Sequence, residues 1–259
     1  MSKSVLIAGY GNIGKLEESF YKHVDIDLTI YDKFKSEYNT ASITNAKYDF
    51  CIICVDTPLN KATWELDCSA VEDVLKTINA DIYICRSTLN VGTTDTLKKK
   101  TGKRIVMYPE FYGTTQHANN FNFNFSILGG NRKDTHEVAQ LLQKFYDARH
   151  TFRLVDAKVA ELVKLAENTY LGGRVSFFGL FWLICKALDI SYDDFRECLG
   201  LDPRIGKEHS FIDDEHPGWD SHCLNKDIPA TARLADKYTK ENIITAMILF
   251  NEMMKGMNK

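Results

Sequence analysis

A glycine-rich turn near the N-terminus constrains the fold of this chain more than any other feature. The sequence "GYGNIG" places Gly9, Gly11 and Gly14 in the spacing G-x-G-x-x-G, directly after the apolar strand "KSVLIAG" and at the start of a helical segment. Such glycines allow a tight turn and a close approach of a pyrophosphate to the helix N-terminus. Asp32 ends the next strand, 21 residues after Gly11, where a carboxylate binds ribose hydroxyls and repels a 2′-phosphate. The pattern predicts NAD binding; the alternative is a structural turn followed by an ordinary strand-end aspartate.

The first 155 residues alternate between short apolar strands and helices. Strands that are apolar almost throughout are typical of a parallel sheet covered on both faces, and their alternation with helices indicates a doubly wound fold. We therefore predict the α/β class. A Rossmann-type doubly wound parallel sheet forms an NAD-binding domain over 1–155, and a long central helix and a smaller all-helical domain follow over 156–259.

A long helix is predicted directly after the last strand. Segment 157–190 contains no proline, carries apolar residues at helical spacing, and would extend about 50 Å if continuous. Its second half, "VSFFGLFWLICKAL", is apolar on nearly all sides, so we expect it to be buried against a second subunit in a homodimer. Residues 191–259 are predicted to form further helices around one irregular loop, 203–222.

Composition narrows the class of protein. The 259 residues are 44% hydrophobic with a net charge of −3, as in soluble globular proteins, and this charge gives no reason to expect a nucleic-acid partner. No apolar run reaches the length of a membrane span, and the N-terminus leads straight into a strand, so we expect no membrane segment and no signal peptide. Cys51 and Cys54 form a C-x-x-C pair, but positions three apart in a strand face opposite sides. We expect reduced, buried thiols and a cytoplasmic location.

Four further stretches carry side chains suited to chemistry. "RSTLNVGTT" (86–94) follows a strand end, where α/β proteins place ligands, and "YPEF" places Glu110 at another strand end. "AELVKLAEN" sets Lys164 and Asn168 four residues apart on one helix face. In "GWDSHCLNKD" (218–227), Cys223 stands alone in a predicted polar loop, which suits a reactive thiol better than a packing one.

Each stretch also has a structural explanation. Thr88 could cap a helix, Glu110 could be a solvated loop acid, and Lys164 could pair with Glu161. The structural explanation is strongest for Asp227, because "DIPATARLA" has the pattern of an N-cap, a first turn with proline, and then a helix.

Seven motifs in one order carry a resemblance to a known family. They are "GYGNIG", "VDTP", "STLNVGTT", "YPEF", "AELVKLAEN", "PRIG" and "GWDSHCLNKD". In this order the chain resembles the nucleotide-sugar 6-dehydrogenases, typified by UDP-glucose 6-dehydrogenase, whose motifs read G-x-G-x-x-G, "TP", "STVPVGTT", "NPEFL", "AELxKxxxN", "RIG" and "GFGGSCFPKD". The resemblance covers nearly the whole chain.

The resemblance implies a four-electron oxidation that reduces two NAD per turnover. The C6 alcohol of the sugar becomes an aldehyde, then a thiohemiacetal and a thioester on Cys223, and finally a free acid. Lys164 and Asn168 would hold the substrate oxygen and stabilise its negative charge. Asp227 would orient a water and assist proton removal, and Glu110 would help the water that hydrolyses the thioester.

Two sets of binding residues also follow from the resemblance. The cofactor-binding set is Gly9, Gly11, Asn12, Ile13, Gly14, Asp32, Lys33, Val55, Thr57, Pro58, Ser87 and Thr88. The substrate-binding set is Glu110, Phe111, Lys164, Asn168, Arg204 and Lys226, and in the family the arginine often reaches substrate across the dimer. Thr88 would also position the substrate or the hydrolytic water. UDP-glucose is the default substrate, UDP-glucuronate the product, and no metal is implied.

The chain departs from the family in three ways. We find no counterpart of the family's C-terminal domain in these residues, so that half of the nucleotide site is expected to be absent or to come from elsewhere. The family's "GGS" is replaced by Asp220, Ser221 and His222, which change the charge beside the thiol. The acidic "DDEH" (213–216) would repel a diphosphate unless its carboxylates point away, and the family's second acid in "PEFLxEG" is replaced by Thr114 and Thr115.

Two other functions stay open. A sugar-acid or hydroxyacid dehydrogenase that oxidises only once shares the Lys-x-x-x-Asn helix but does not need Cys223, so retention of Cys223, Lys226 and Asp227 disfavours it. A degenerate NAD-binding protein with a regulatory or assembly role is favoured by the altered loop and disfavoured by the retention of every candidate catalytic side chain. A metal site is a further alternative for four residues, although their spacing matches no zinc pattern: His209, Asp213, His216 and His222.

Overall fold

The computed structural model of the chain describes residues 2–112 and 123–257. They divide into two compact units. Unit 1 comprises Met1–Pro58 and Leu66–Lys164, and unit 2 comprises Leu59–Glu65 and Leu165–Lys259. The domain boundary that the sequence pattern indicates between residues 155 and 156 stays a prediction.

Unit 1 is built on a seven-stranded sheet in the order β2-β1-β3-β6-β7-β8-β9. All neighbouring strands pair in parallel except β7 and β8, which are antiparallel, a pairing that needs no crossover helix. The predicted α/β class with a Rossmann-type sheet is confirmed. The strands are β1 (Lys3–Ala8), β2 (Ile26–Tyr31), β3 (Lys47–Ile53), β6 (Asn79–Cys85), β7 (Ile105–Met107), β8 (Phe125–Gly129) and β9 (Thr151–Val155).

The sheet of unit 1 is covered on both faces. Successive residues of β3 illustrate this, because Cys51 packs into the apolar core on one face while Ile52 packs into the core on the other. Cys54, three positions after Cys51, packs against the second core, so the two thiols face opposite sides. The helices of unit 1 are α1 (Asn12–Tyr21), α2 (Ala41–Thr44), α3 (Ser69–Thr77), α4 (Thr93–Thr101), α5 (Arg132–Leu142) and the first residues of α6.

Unit 2 is mainly helical. The helix α6 (Ala157–Leu188) begins in unit 1 and continues into unit 2, where α7 (Tyr192–Leu199), α8 (His222–Asp236) and α9 (Ile243–Gly256) follow. Phe178 and Trp182 of α6 pack in the core with Ile212 and Met254. A Cβ atom on Gly172 would lie 2.3 Å from Cδ1 of Ile228, so α6 and α8 pack closely at this glycine and a larger residue would require the Ile228 side chain to move. The sequence did not predict the hairpin of β4 (Leu59–Asn60) and β5 (Glu65–Leu66).

The long helix α6 is apolar enough to resemble a membrane span, yet one of its sides is buried within unit 2. By length and composition it is apolar enough to cross a membrane, with a mean hydropathy of 1.4 over an 18-residue window. By this measure, the prediction that no apolar run is long enough to span a membrane is wrong. A core helix of a soluble protein meets the same criteria. One side of the helix is buried in unit 2, as Phe178 and Cys185 show, whereas Phe177 and Ile184 are exposed.

Candidate active site

The three glycines of the turn in unit 1 have different surroundings. Gly9 has a φ of 93°, and a Cβ there would lie 2.8 Å from the carbonyl oxygen of Cys54. A Cβ on Gly14 would lie 2.0 Å from the carbonyl oxygen of Gly9, so helix α1 packs directly against the turn. Gly11 has nothing within 4 Å of the Cβ position, so the backbone there borders open space that a pyrophosphate can enter.

The N-terminus of α1 is suited to an anion. Its N-cap, Gly11, supplies no side-chain hydrogen bond, and the first turn, which begins with Asn12 and Ile13, contains no acidic residue. Backbone N–H groups left without such partners at the positive end of a helix attract phosphate. The local geometry therefore fits the pyrophosphate of NAD.

Asp32 is fixed at the carboxyl end of β2. Its two carboxylate oxygens accept hydrogen bonds from the backbone N–H groups of Tyr10, at 2.9 Å, and Phe34, at 3.0 Å. Each oxygen keeps a second lone pair for a ribose hydroxyl. Lys33, which was also predicted to bind the cofactor, pairs with Asp73 at 2.8 Å on the surface.

The loops that follow β3 and β6 are joined by two short hydrogen bonds. The Ser87 hydroxyl donates to the carbonyl oxygen of Val55 at 2.6 Å, and the Thr57 hydroxyl donates to that of Thr88 at 2.7 Å. Pro58 follows and is exposed. The structure therefore brings together the residues predicted from "VDTP" and "STLNVGTT" at one edge of the sheet. Thr88 is not the cap of α4, whose N-cap is Gly92.

Glu161 links two of the predicted motifs through hydrogen bonds. Its carboxylate is fully buried and accepts hydrogen bonds from the N–H groups of Gly92, at 2.5 Å, and Thr94, at 2.8 Å, and from the Thr94 hydroxyl at 2.7 Å. Burial raises the pKa of Glu161, and these hydrogen bonds partly offset the increase. The glutamate of "AELVK" therefore caps α4 in "STLNVGTT", a long-range role that the sequence analysis missed.

Two candidate catalytic residues of unit 1 are buried. Glu110 is only 8% exposed, so it is not the solvated loop acid of the structural explanation. Lys164 is 6% exposed, and its ammonium group lies 5.3 Å from the centre of the Phe111 ring, close enough for a cation–π contact. The structure therefore places Lys164 beside the "YPEF" segment.

A buried polar cluster occupies the interior of unit 2. The Asp227 carboxylate is fully buried, and its Oδ1 accepts a hydrogen bond from the Lys226 ammonium at 2.7 Å. Its Oδ2 accepts one from the Asn168 side-chain amide at 2.6 Å. The structure thus joins the two motifs "AELVKLAEN" and "LNKD" through three predicted site residues.

Cys223 lies in the first turn of α8 and is exposed. The prediction that Cys223 lies in a loop is wrong, and the structural alternative for Asp227, that it is an N-cap, is wrong as well. The helix begins earlier, at the N-cap Ser221, whose hydroxyl accepts a hydrogen bond from the N–H of Leu224 at 3.2 Å. Cys223 and Asp227 are therefore one helical turn apart.

The residues before Cys223 are held by α9. The Asn251 amide accepts the Trp219 N–H at 2.7 Å and donates to the Trp219 carbonyl oxygen at 3.0 Å. The Asp220 carboxylate accepts hydrogen bonds from Lys255 at 3.1 Å and from Asn225 at 2.7 Å. The negative charge that "DSH" adds beside the thiol is therefore balanced within unit 2.

Other predicted features are placed outside this cluster. The Arg204 guanidinium is 87% exposed and pairs with Asp202, so the structure does not bury it with Asp227. In the acidic loop, the Asp214 carboxylate accepts a hydrogen bond from the Trp182 indole at 2.8 Å, and the Asp213 carboxylate accepts one from the backbone N–H of Glu215. Thr114 and Thr115 lie outside the described residues. Within 2–112 and 123–257, no group of three or more histidine, cysteine, aspartate or glutamate side chains is arranged to hold a metal.

The turn, the uncapped helix and Asp32 on a doubly wound sheet define a Rossmann-type NAD-binding protein. The chain belongs to the UDP-glucose/GDP-mannose dehydrogenase family. The model of the family's NAD-binding domain matches residues 15–149, and that of its central domain matches 158–253. The predicted family is confirmed, as is NAD as the cofactor.

Individual relatives agree with the family. UDP-glucose 6-dehydrogenase of Campylobacter jejuni is 28% identical over 249 residues, which cover 93% of this chain and 60% of the relative. A UDP-glucose dehydrogenase from Pyrobaculum islandicum has the same fold, with a TM-score of 0.80, 19% identity and coverage of 98% of this chain and 68% of that one. UDP-D-ManNAc dehydrogenase from Pyrococcus horikoshii superposes with a TM-score of 0.78, 23% identity and coverage of 97% and 68%. The chain spans about 60% of the length of curated relatives such as the UDP-glucose 6-dehydrogenase of Campylobacter jejuni.

Proposed function

We propose that the protein oxidises the C6 hydroxyl of a nucleotide sugar to a carboxylate, with UDP-glucose as the substrate and NAD as the oxidant. The observation that carries the proposal is the position of Cys223. It is an exposed thiol one helical turn from the buried Asp227, whose carboxylate holds Lys226 and Asn168. A thiol packed for stability would be buried, whereas one that attacks an aldehyde must be accessible.

The first oxidation depends on Lys164 and Asn168. They hold the C6 oxygen of the sugar. Its proton leaves through a water that Asp227 orients. The Lys164 ammonium and the Asn168 amide N–H stabilise the negative charge that develops on the oxygen. NAD, when bound, accepts a hydride in each of the two oxidations. The product of the first is an aldehyde.

The second oxidation depends on Cys223. Its thiolate forms a C–S bond to the aldehyde carbon, and the carbonyl oxygen takes a proton to give a thiohemiacetal. Loss of that proton and of a hydride gives a thioester. A water assisted by Glu110 then attacks the carbonyl carbon, the C–S bond breaks, and the acid leaves with the thiol restored.

The proposal is tested by stoichiometry. Purified protein is incubated with NAD and a panel of UDP- and GDP-sugars, and NADH and sugar acid are measured together. We expect two NADH per acid, with UDP-glucose among the active sugars. No NADH from any sugar would contradict the enzymatic function and favour a regulatory NAD-binding role. One NADH per product would favour the two-electron dehydrogenase.

We further propose a homodimer formed through the exposed apolar face of unit 2. The exposed apolar side chains of α6 and α9 define this face: Tyr170, Phe177, Leu180, Ile184, Leu188, Ile243, Leu249 and Met253. Apolar side chains at helical spacing are expected to be covered in an assembly. In sedimentation velocity at micromolar concentration, we expect the wild type to have the mass of two chains and a Phe177→Glu, Leu180→Glu variant that of one. The control Phe34→Glu, an exposed phenylalanine of unit 1, should remain dimeric, and a monomeric wild type would refute the proposal.

A further inference from the structure

Arg86 is a charged residue buried at the carboxyl end of β6. It is 4% exposed and comes directly before the "STLNVGTT" motif. Arginine is seldom buried unless its charge is paired and its N–H groups are bonded. Its contacts within unit 1 therefore indicate what the side chain does.

The guanidinium group of Arg86 binds the backbone that leads into Glu110. Its Nη1 lies 3.1 Å from the carbonyl oxygen of Tyr108 and 3.2 Å from that of Pro109. Its Cζ atom lies 3.8 Å from the centre of the Tyr108 ring, over which the cation is placed. The two residues before Glu110 are therefore held by one cation, through hydrogen bonds and a cation–π contact together.

The counter-ion of Arg86 comes from the cofactor-binding helix. Glu17 of α1 is 3% exposed, and its carboxylate lies 2.8 Å from Arg86 Nε. Burial lowers the pKa of the Arg86 guanidinium, but the neighbouring Glu17, Tyr108 and Glu110 more than reverse this, so its pKa is raised and the group stays charged. Glu17 thus links the helix whose N-terminus faces the pyrophosphate to the segment that carries Glu110.

We infer that Arg86, anchored by Glu17, is a positioning residue that fixes Glu110 for hydrolysis of the thioester. The inference rests on the proposed function, in which Glu110 assists the hydrolytic water. Arg86 does not touch substrate in this scheme; it acts through the backbone of 108–109. Its loss should therefore slow hydrolysis more than it weakens substrate binding.

The test compares Arg86→Lys, Glu110→Gln and the double variant. Lysine keeps the positive charge for Glu17 but lacks the planar fork that reaches both carbonyl oxygens. We expect Arg86→Lys to lower kcat about 10- to 100-fold with KM for the sugar within about threefold. We expect intact-mass spectrometry to show sugar bound covalently to Cys223 in both single variants. The double variant should be no slower than Glu110→Gln, because both changes affect one step.

A second measurement does not depend on activity. Hydrogen exchange of the segment 108–112 in cofactor-free Arg86→Lys should be at least tenfold faster than in the wild type. The control is Arg104→Lys, at the opposite end of β7, whose guanidinium pairs with Asp134 and Glu137. It should leave both exchange in this segment and kcat unchanged.

The outcomes separate the inference from the proposed function. If Glu110→Gln accumulates the adduct but Arg86→Lys does not, Arg86 does not act through Glu110 and the inference is wrong. If the wild type makes no sugar acid, or Glu110→Gln forms no adduct, the proposed chemistry is wrong, and the exchange measurement alone decides whether Arg86 positions the segment. Unchanged exchange in 108–112 would overturn the inference in either case.

Discussion

Replacing Cys223 with serine is expected to lower the rate of sugar-acid formation by at least about 10³-fold. The oxygen of serine is scarcely ionised at neutral pH, whereas a thiol, with an ordinary pKa of about 8.5, supplies the thiolate nucleophile far more readily. Without the C–S bond the aldehyde has no thiohemiacetal from which the second hydride can leave. The variant should therefore form no more than about one NADH per active site, measured by stopped-flow absorbance with acid quantified after quenching.

The matched control for this prediction is Cys198→Ser. Cys198 is the other exposed cysteine of the chain; it lies in α7, outside every predicted motif. Its replacement should leave the rate within about twofold, because a surface substitution removes no reacting group. In alkylation with iodoacetamide, NAD and UDP-glucose together should protect Cys223 but not Cys198. Full acid formation by Cys223→Ser, with two NADH per product, would rule out the covalent mechanism.

The fold was predictable because its signals are local. An apolar strand, a glycine turn and a helix occur within the first 21 residues, and the structure has them where the sequence pattern predicts. The start of α8 was mistaken because two N-cap patterns compete in the same stretch. Ser221 lies six residues before Asp227, and the proline after Asp227 looks like a first-turn residue although Pro229 lies inside the helix. Local patterns could not decide between the two caps.

The residues that support the site were not predictable in the same way. The sequence offers Cys223, Lys164 and Asp227 as candidates because their motifs are short and contiguous. Glu161 lies in the same motif as Lys164, but the backbone N–H groups that it binds are 69 and 67 residues away in the chain. Arg86 comes directly before "STLNVGTT", and the carbonyl oxygens that it binds are 22 and 23 residues away. A backbone partner leaves no pattern in a single sequence. The one available signal was a charged residue at the end of an apolar strand.

Replacing Asp227 with asparagine is expected to destabilise the protein by about 3 kcal/mol and lower kcat about 10²- to 10⁴-fold. The two oxygens of Asp227 accept from Lys226 and Asn168, whereas asparagine has only one acceptor oxygen and turns an N–H group toward one of the donors. The Lys226 ammonium, whose side chain is 11% exposed, loses its counter-ion. The midpoint of thermal unfolding should fall by roughly 6–12 °C, as measured by calorimetry.

Stability and catalysis can be separated with a second variant. In Lys226→Met, Asp227→Asn the buried unpaired ammonium is gone, so most of the lost stability should return while kcat stays low. The control pair is Lys237 and Glu65, also of unit 2, whose side chains are about half exposed and 3.0 Å apart. Glu65→Gln should cost no more than about 1 kcal/mol, because water solvates the remaining charge. If Asp227→Asn is folded at the assay temperature and its kcat stays within about threefold of wild type, Asp227 holds Lys226 and Asn168 in place but does not assist proton removal.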